Sequence, residues 1–155
     1  MTPALRILKR SGFSFISREY SHDPRASAFG PEAAEKLKVE PGRVFKTLIL
    51  RSPGGAYSAW MLPVDRQLDL KKAAKLAGEK KMDLADPAEA ERLTGYVKGG
   101  ISPLGQKRSI PIYIDSCCHD HETILFSGGK RGLQIEMAPS DFIQLSAAVA
   151  LGKFS

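Results

Sequence analysis

Two apolar runs, VFKTLIL and AYSAWMLPV, stand on either side of Ser52–Gly55, whose sequence SPGG is turn chemistry. No other feature constrains the fold as much. Side chains alternate across a strand, so Phe45, Thr47 and Ile49 share one face and Lys46, Leu48 and Leu50 the other. Both faces are largely apolar, which predicts a central strand covered on both sides. The second run folds back on it as a hairpin. Lys46 is the anomaly, an ammonium group sharing a face with two leucines. Burying a charge there is costly unless an anion or strong acceptors meet it. The lysine either serves a site or snorkels from an edge.

The helices are well punctuated. TPALRILKRSG has Thr2 as cap, Pro3 at the first helical position and Gly12 as stop. LDLKKAAKLAG runs from the cap Asp69 to Gly78. DPAEAERLTG offers Asp86 as cap, Pro87 as start, Glu89 to complete a capping box and Gly95 as stop. PEAAEKLKV predicts a short helix, and SDFIQLSAAVAL a closing helix capped by Ser140. FSFISREY, KKMDLA, IPIYID, TILFSGG and LQIEMA read as strands. The last two are joined by the tight, basic GGKRG. SHDPRASAFG and YVKGGISPLGQKRS read as loops. This order lacks strict βαβ alternation and contains two hairpins. It predicts an α/β fold, with a mixed, mostly antiparallel, barrel-like sheet and helices packed outside. The 155 residues suit a single domain spanning 1–155.

Few catalytic sets are available. There is no G-x-G-x-x-G after a strand, no Walker A sequence and no G-x-S-x-G elbow. CCHDHE, Cys117 to Glu122, gathers thiols, imidazoles and carboxylates, but adjacent cysteines rarely chelate one metal together. It reads as an exposed polar loop, and no metal or cofactor is expected. Adjacent cysteines cannot staple distant segments of one chain, so a reducing, cytoplasmic address is expected. MTPALRILKRSGF has periodic rather than continuous apolar content, unlike a secretory signal. No run is long enough to span a bilayer, so no membrane partner is expected. His22 reads as a turn residue bonded to Asp23 or backbone. The glycine loops KGGISPLG and SGGKRG can cradle an oxyanion or phosphate, or serve as tight turns. The formal net charge of +6 suits a polyanionic partner, nucleic acid above all.

YSHDPRASAFG, VFKTLIL, QLDLKKAAKLAG, ADPAEAERLTGYVKGGISPLGQK and SGGKRGLQIE, in this order, resemble the YbaK-type bacterial aminoacyl-tRNA deacylases along nearly the whole chain. Those proteins are relatives of the editing domain inserted in bacterial prolyl-tRNA synthetases. The resemblance implies an enzyme that removes a mischarged amino acid, cysteine above all, from tRNA(Pro). It makes Lys46 the essential strand lysine. Tyr20 and Phe29 would shape the pocket around the terminal adenosine and the aminoacyl group, with Thr47 beside the lysine. Gly99, Gly100 and Ile101 would position the ester carbonyl, and Ser127, Gly128 and Gly129 would form the opposite wall. Gln134 stands where the family often has aspartate; an amide accepts a hydrogen bond but holds no negative charge. Lys71, Lys72, Lys107, Arg108, Lys130 and Arg131, with Lys75, Lys80 and Lys81, could contact acceptor-stem phosphates. Prolyl-tRNA synthetase is the partner the resemblance suggests. Removal of alanine or serine instead, a non-catalytic tRNA- or nucleotide-binding module, and a regulatory protein that binds a free amino acid or nucleotide are the competing expectations.

Overall fold

A computed structural model describes residues 1–155. The helices are α1 (Pro3–Ser11), α2 (Phe29–Leu37), α3 (Leu70–Ala77), α4 (Pro87–Thr94) and α5 (Pro139–Ser146). The strands are β1 (Ile16–Glu19), β2 (Val44–Arg51), β3 (Tyr57–Pro63), β4 (Asp83–Leu84), β5 (Ile112–Ile114), β6 (Ile124–Ser127), β7 (Leu133–Met137) and β8 (Val149–Ala150).

All eight strands join one mixed sheet in the order β1-β7-β6-β2-β3-β5-β8, with β4 also paired to β2. The hairpins β2–β3 and β6–β7 are antiparallel, as are β1–β7 and β2–β4. The pairs β2–β6, β3–β5 and β5–β8 are parallel. The sheet is covered on both faces. On one side α3 packs on Leu50, Trp60 and Leu62 through Ala73 and Ala74, and α2 packs on Val44 and Leu125 through Ala33 and Ala34. On the other, Phe45, Met61, Phe126 and Ile135 meet α1 and α5 through Leu8 and Phe142. There α4 closes on Ile49 and Ala59 with Ala90 and Leu93. The two apolar faces of β2 are thereby both buried.

The punctuation of α1 and α3 matches the sequence reading. Thr2 Oγ1 accepts from Leu5 N–H, Asp69 accepts from Lys71 and Lys72 N–H, and Gly12 and Gly78 end the helices at positive φ. Asp86 sits at the N-cap of α4 without a side-chain cap bond. Glu89 accepts a hydrogen bond from the Tyr57 hydroxyl, which lowers its pKa, and the Asp86 main chain lowers it further, the Glu half of the expected capping box. Helix α2 begins at Phe29, ahead of Pro31, and this sets the Phe29 ring at its head. Ser140 is not the cap of α5. Pro139 takes the first helical position after Ala138, so Ser140 lies inside the first turn. The closing segment leaves the helix at Ala147, φ 61°, and Val149–Ala150 pairs with β5. CCHDHE is an exposed loop only in part: His119, Asp120 and Glu122 are exposed as expected, but the two cysteines are not. Residues Ser116–Asp120 form a 3-10 turn that buries both thiols in the core, with Asp115 Oδ1 accepting from Cys117 N–H at 2.9 Å. No helix is long and apolar enough to cross a membrane.

Candidate active site

The sheet has a gap beside β2. The β6 ladder pairs Val44 with Leu125 and Phe45 with Phe126, then ends. The β4 ladder begins only at Leu50 and Arg51. Between them lies a cavity of about 810 Å³, within the usual range for a small-molecule site. Its walls come from β2, the head of α2, the β4–α4 corner, the loop after α4, Ser127 and Gln134.

Of the residues singled out in the sequence, Lys46, Thr47, Phe29, Gly99, Ile101, Ser127 and Gln134 meet here. Cross-strand partners share a face. The register from Val44 to Leu125, and from Ser127 to Gln134, therefore sets Lys46, Ser127 and Gln134 on the α2 side of the sheet. Lys46 is half-buried there, and its Nζ donates to the Arg66 carbonyl at 2.6 Å. Burial pulls its pKa below that of an ordinary lysine, and the Asp65 carboxylate pulls it partly back. Thr47 lies on the other face with Ile49, opposite Met61. The hydroxyl of Thr47 and Oε1 of Gln134 are both buried without a hydrogen-bond partner. Such atoms are uncommon in folded proteins.

The other residues are placed differently. Tyr20 does not line the cavity. It packs behind α2 against the Ala33, Val44 and Leu125 cluster, where burial raises its pKa. Gly100, Gly128 and Gly129 spend their N–H groups inside the protein, on Val97 O, Leu133 O and Ser127 Oγ. They serve close packing. A Cβ on Gly100 would lie 2.8 Å from Lys130 Cα, so the two glycine loops clasp one another. Gly99 carries φ +85° and lies flat against the Phe29 ring. Arg131 covers the same ring at 4.7 Å from its centroid and donates Nε–H to Lys98 O at 2.8 Å.

Lys98 and the Leu84–Pro87 corner also line the cavity, and the sequence reading had not singled them out. Only the D-P start of α4 hinted at the corner. His22 turns to Glu32, with Nδ1 2.7 Å from its carboxylate, and stacks near Phe29. Burial alone would raise the Glu32 pKa, but hydrogen bonds from His22, Asp23 N–H and Lys36 outweigh it and hold the carboxyl at about 2. The cationic residues are all exposed and fall into separate groups. Lys71, Lys75, Lys80 and Lys81 surround a second hollow on α3, apart from the cavity, and Lys72 bonds Ser155 O. Lys107 and Arg108 follow the end of α4, where their N–H groups bond Thr94 O and Leu93 O. Lys130 and Arg131 stand on the clasped loop beside the cavity rim.

Known proteins share this architecture. A protein of Enterococcus faecalis named as a candidate Cys-tRNA(Pro)/Cys-tRNA(Cys) deacylase, EbsC, is 35% identical over 146 residues, covering 94% of this chain and 88% of that protein. The multifunctional Ser/Thr-tRNA deacylase ProXp-y of Escherichia coli K12 is 26% identical over 109 residues, covering 68% of this chain and 65% of its own. A crystal structure described as a candidate trans-editing enzyme for prolyl tRNA synthetase superposes with a TM-score of 0.85 at 25% identity, covering 100% of this chain and 99% of that one. The aminoacyl-tRNA editing domain family matches residues 23–145, a span that includes the whole cavity wall, and the chain belongs to that family.

Proposed function

We propose that the protein is a trans-editing deacylase that removes a mischarged small amino acid, cysteine foremost, from tRNA(Pro). The observation that carries this reading is the make-up of the cavity. It gathers the ammonium groups of Lys46 and Lys98, the Asp86 carboxylate, two unpartnered polar side chains and the Gly99 backbone, yet no thiol or imidazole lines it. Such a site is suited to holding a reactive ester rather than attacking it. With cysteine as substrate the attack is internal. The substrate thiol adds to its own ester carbonyl, a C–S bond forms and the C–O bond to ribose breaks. The thiol proton passes to the departing ribose oxygen, and the acyl group leaves as a small cyclic thioester. Orientation of this kind supplies up to about 7–11 kcal/mol in ideal intramolecular cases. Lys46 would neutralise charge on the ribose oxygen as it leaves. The protein's own thiols take no part: burial, then the nearby Asp115, push Cys117 up to about 12 and Cys118 up to about 11.

A neighbouring reading, removal of serine, draws support from the unpartnered Thr47 hydroxyl and Gln134 Oε1 and from the Ser/Thr-tRNA deacylase relative, with alanine the other small side chain to test. Prolyl-tRNA synthetase would be the partner that supplies the mischarged tRNA, and the exposed cations near the rim would meet acceptor-stem phosphates. Purified protein is incubated with labelled cysteinyl-, alanyl- and seryl-tRNA(Pro) beside a Lys46→Ala control. Rapid release of one amino acid by the parent and not by folded Lys46→Ala is the expected result. Binding of these tRNAs without turnover would replace the deacylase by a binding module.

A further inference from the structure

The gap in the sheet leaves one residue of β2 with its main chain unused. Val64 donates its N–H to Val44 O at 2.8 Å across the hairpin. The even-numbered residues of β2 therefore spend their backbone groups on β3, and the odd-numbered ones face the opposite edge. On that edge Phe45 is served by β6, and Ile49 O accepts from Ala85 N–H at 2.9 Å. Thr47 lies between them with no strand beside it. Continuing the β4 register brings Pro87 opposite Thr47, and proline has no N–H to offer. The chain turns there into α4, and the ladder stops. Thr47, which lines the cavity, thus has an N–H and a C=O with no ladder partner, beside a buried, unpartnered Oγ1.

We infer that the aminoacyl group docks here as a single strand residue, filling the missing ladder position opposite Thr47. The inference rests on the deacylase reading and names how its substrate is held. An aminoacyl ester carries a nitrogen donor and a carbonyl acceptor on either side of one Cα, as a strand residue does. Its α-ammonium donates to Thr47 C=O, and its ester carbonyl accepts from Thr47 N–H. That N–H then stays on the oxygen as negative charge develops on it. If the acyl residue continues the direction of β4, its ester oxygen leads towards Lys46 and Ser127. Its side chain falls on the Thr47 side chain's face, against Ile49, Ala90 and Ile101. This assigns the chamber to a small side chain, the free amino group to the Thr47 carbonyl, and the reacting carbonyl to a main-chain donor that side-chain mutagenesis would never reveal.

The test reads the Thr47 amide directly. Hydrogen exchange is followed by NMR on the ¹⁵N-labelled full chain, alone and with the amide-linked analogue 3′-(L-alanylamino)-3′-deoxyadenosine. In the free protein, Thr47 N–H should exchange freely while its neighbours Lys46 and Leu48, bonded to β3, are protected. Saturating analogue should slow Thr47 exchange at least tenfold. The 3′-(propionylamino) analogue, which lacks the amino group, should bind at least tenfold more weakly. A Thr47 amide already protected in the free protein would overturn the inference. So would an analogue that shifts Gly99 and Ile101 resonances and leaves Thr47 unchanged. If Lys46-dependent turnover of aminoacyl-tRNA persists in either of those cases, the docking fails and the deacylase stands. If no aminoacyl-tRNA is turned over and the analogue does not bind, both fall.

Discussion

Replacing Gly99 by alanine tests whether the Phe29 wall of the cavity is held from behind by backbone. Gly99 has φ +85°, where an L side chain is strained. Its Cβ would stand 2.7 Å from both Cγ and Cδ1 of Phe29 and 2.9 Å from Cδ2. The ring cannot retreat easily, because the Arg131 guanidinium covers it at 4.7 Å and His22 lies 5.7 Å away. Left-handed strain costs about 1 kcal/mol, and the forced overlap adds about 2 kcal/mol. For a chain of this size each kcal/mol lowers Tm by about 2–4 °C, so Gly99→Ala should lose roughly 6–12 °C. Gly12→Ala supplies the comparison. Gly12 has φ +78° and nothing within 4 Å of its Cβ, so only the strain remains and the loss should be about 2–4 °C. In a Phe29→Leu background, Gly99→Ala should cost no more than Gly12→Ala does, a coupling that a double-mutant cycle of thermal melts measures directly. Deacylation should fall with Gly99→Ala and recover in part in the double variant. Equal costs for Gly99→Ala in both backgrounds would refute the contact.

Two further outcomes follow from the buried ionisable groups. Cys117→Ala with Cys118→Ala should leave the deacylation rate within about twofold while lowering Tm, because thiols raised to about 12 and about 11 carry no thiolate at neutral pH; a large rate loss in a folded variant would return the chemistry to the protein's own sulfur. Glu32, held at about 2 against about 4.5 when unfolded, stabilises the fold fully above pH ~4.5 and progressively less as pH falls towards 2. Glu32→Gln should therefore lose about 2 kcal/mol at pH 7 and flatten the decline of Tm between pH 5 and pH 2, and parallel Tm–pH curves for parent and variant would contradict this.

Local signals survived the passage from sequence to structure; long-range ones did not. Caps and stops at Thr2, Gly12, Asp69 and Gly78 act within a few residues, so α1 and α3 could be read directly. The same holds for the SPGG and GGKRG hairpins. The parallel pairs β2–β6 and β3–β5 join segments far apart in sequence, and nothing in either segment names its partner. Strand β8 is only Val149–Ala150, too short for periodicity, and exists because β5 offers it an edge. The cysteine run misled because its polar neighbours dominate the composition, whereas the turn that Asp115 caps directs both thiols inward. Within the site, Lys46 betrayed itself by breaking an apolar pattern. Phe29, Ser127 and Gln134 followed from the family resemblance, and Tyr20 lies behind the wall rather than in it.

The Thr47 gap shows why part of the site could not be read from residue types. Three unremarkable features create it. Ser127 ends β6 and the chain turns at Gly128–Gly129, so the β6 ladder stops at Phe126. Asp86–Pro87 ends the β4 register with a residue that cannot donate. An alternating register then leaves the unused main chain to Thr47, since Lys46 and Leu48 are already bonded to β3. Each feature has an ordinary structural purpose, and only their convergence leaves an N–H and a C=O open inside a covered sheet. Unpaired backbone groups in such a place are costly. A fold that keeps the vacancy, rigid on the β3 side, would give the acyl group inferred above a position formed before any substrate arrives.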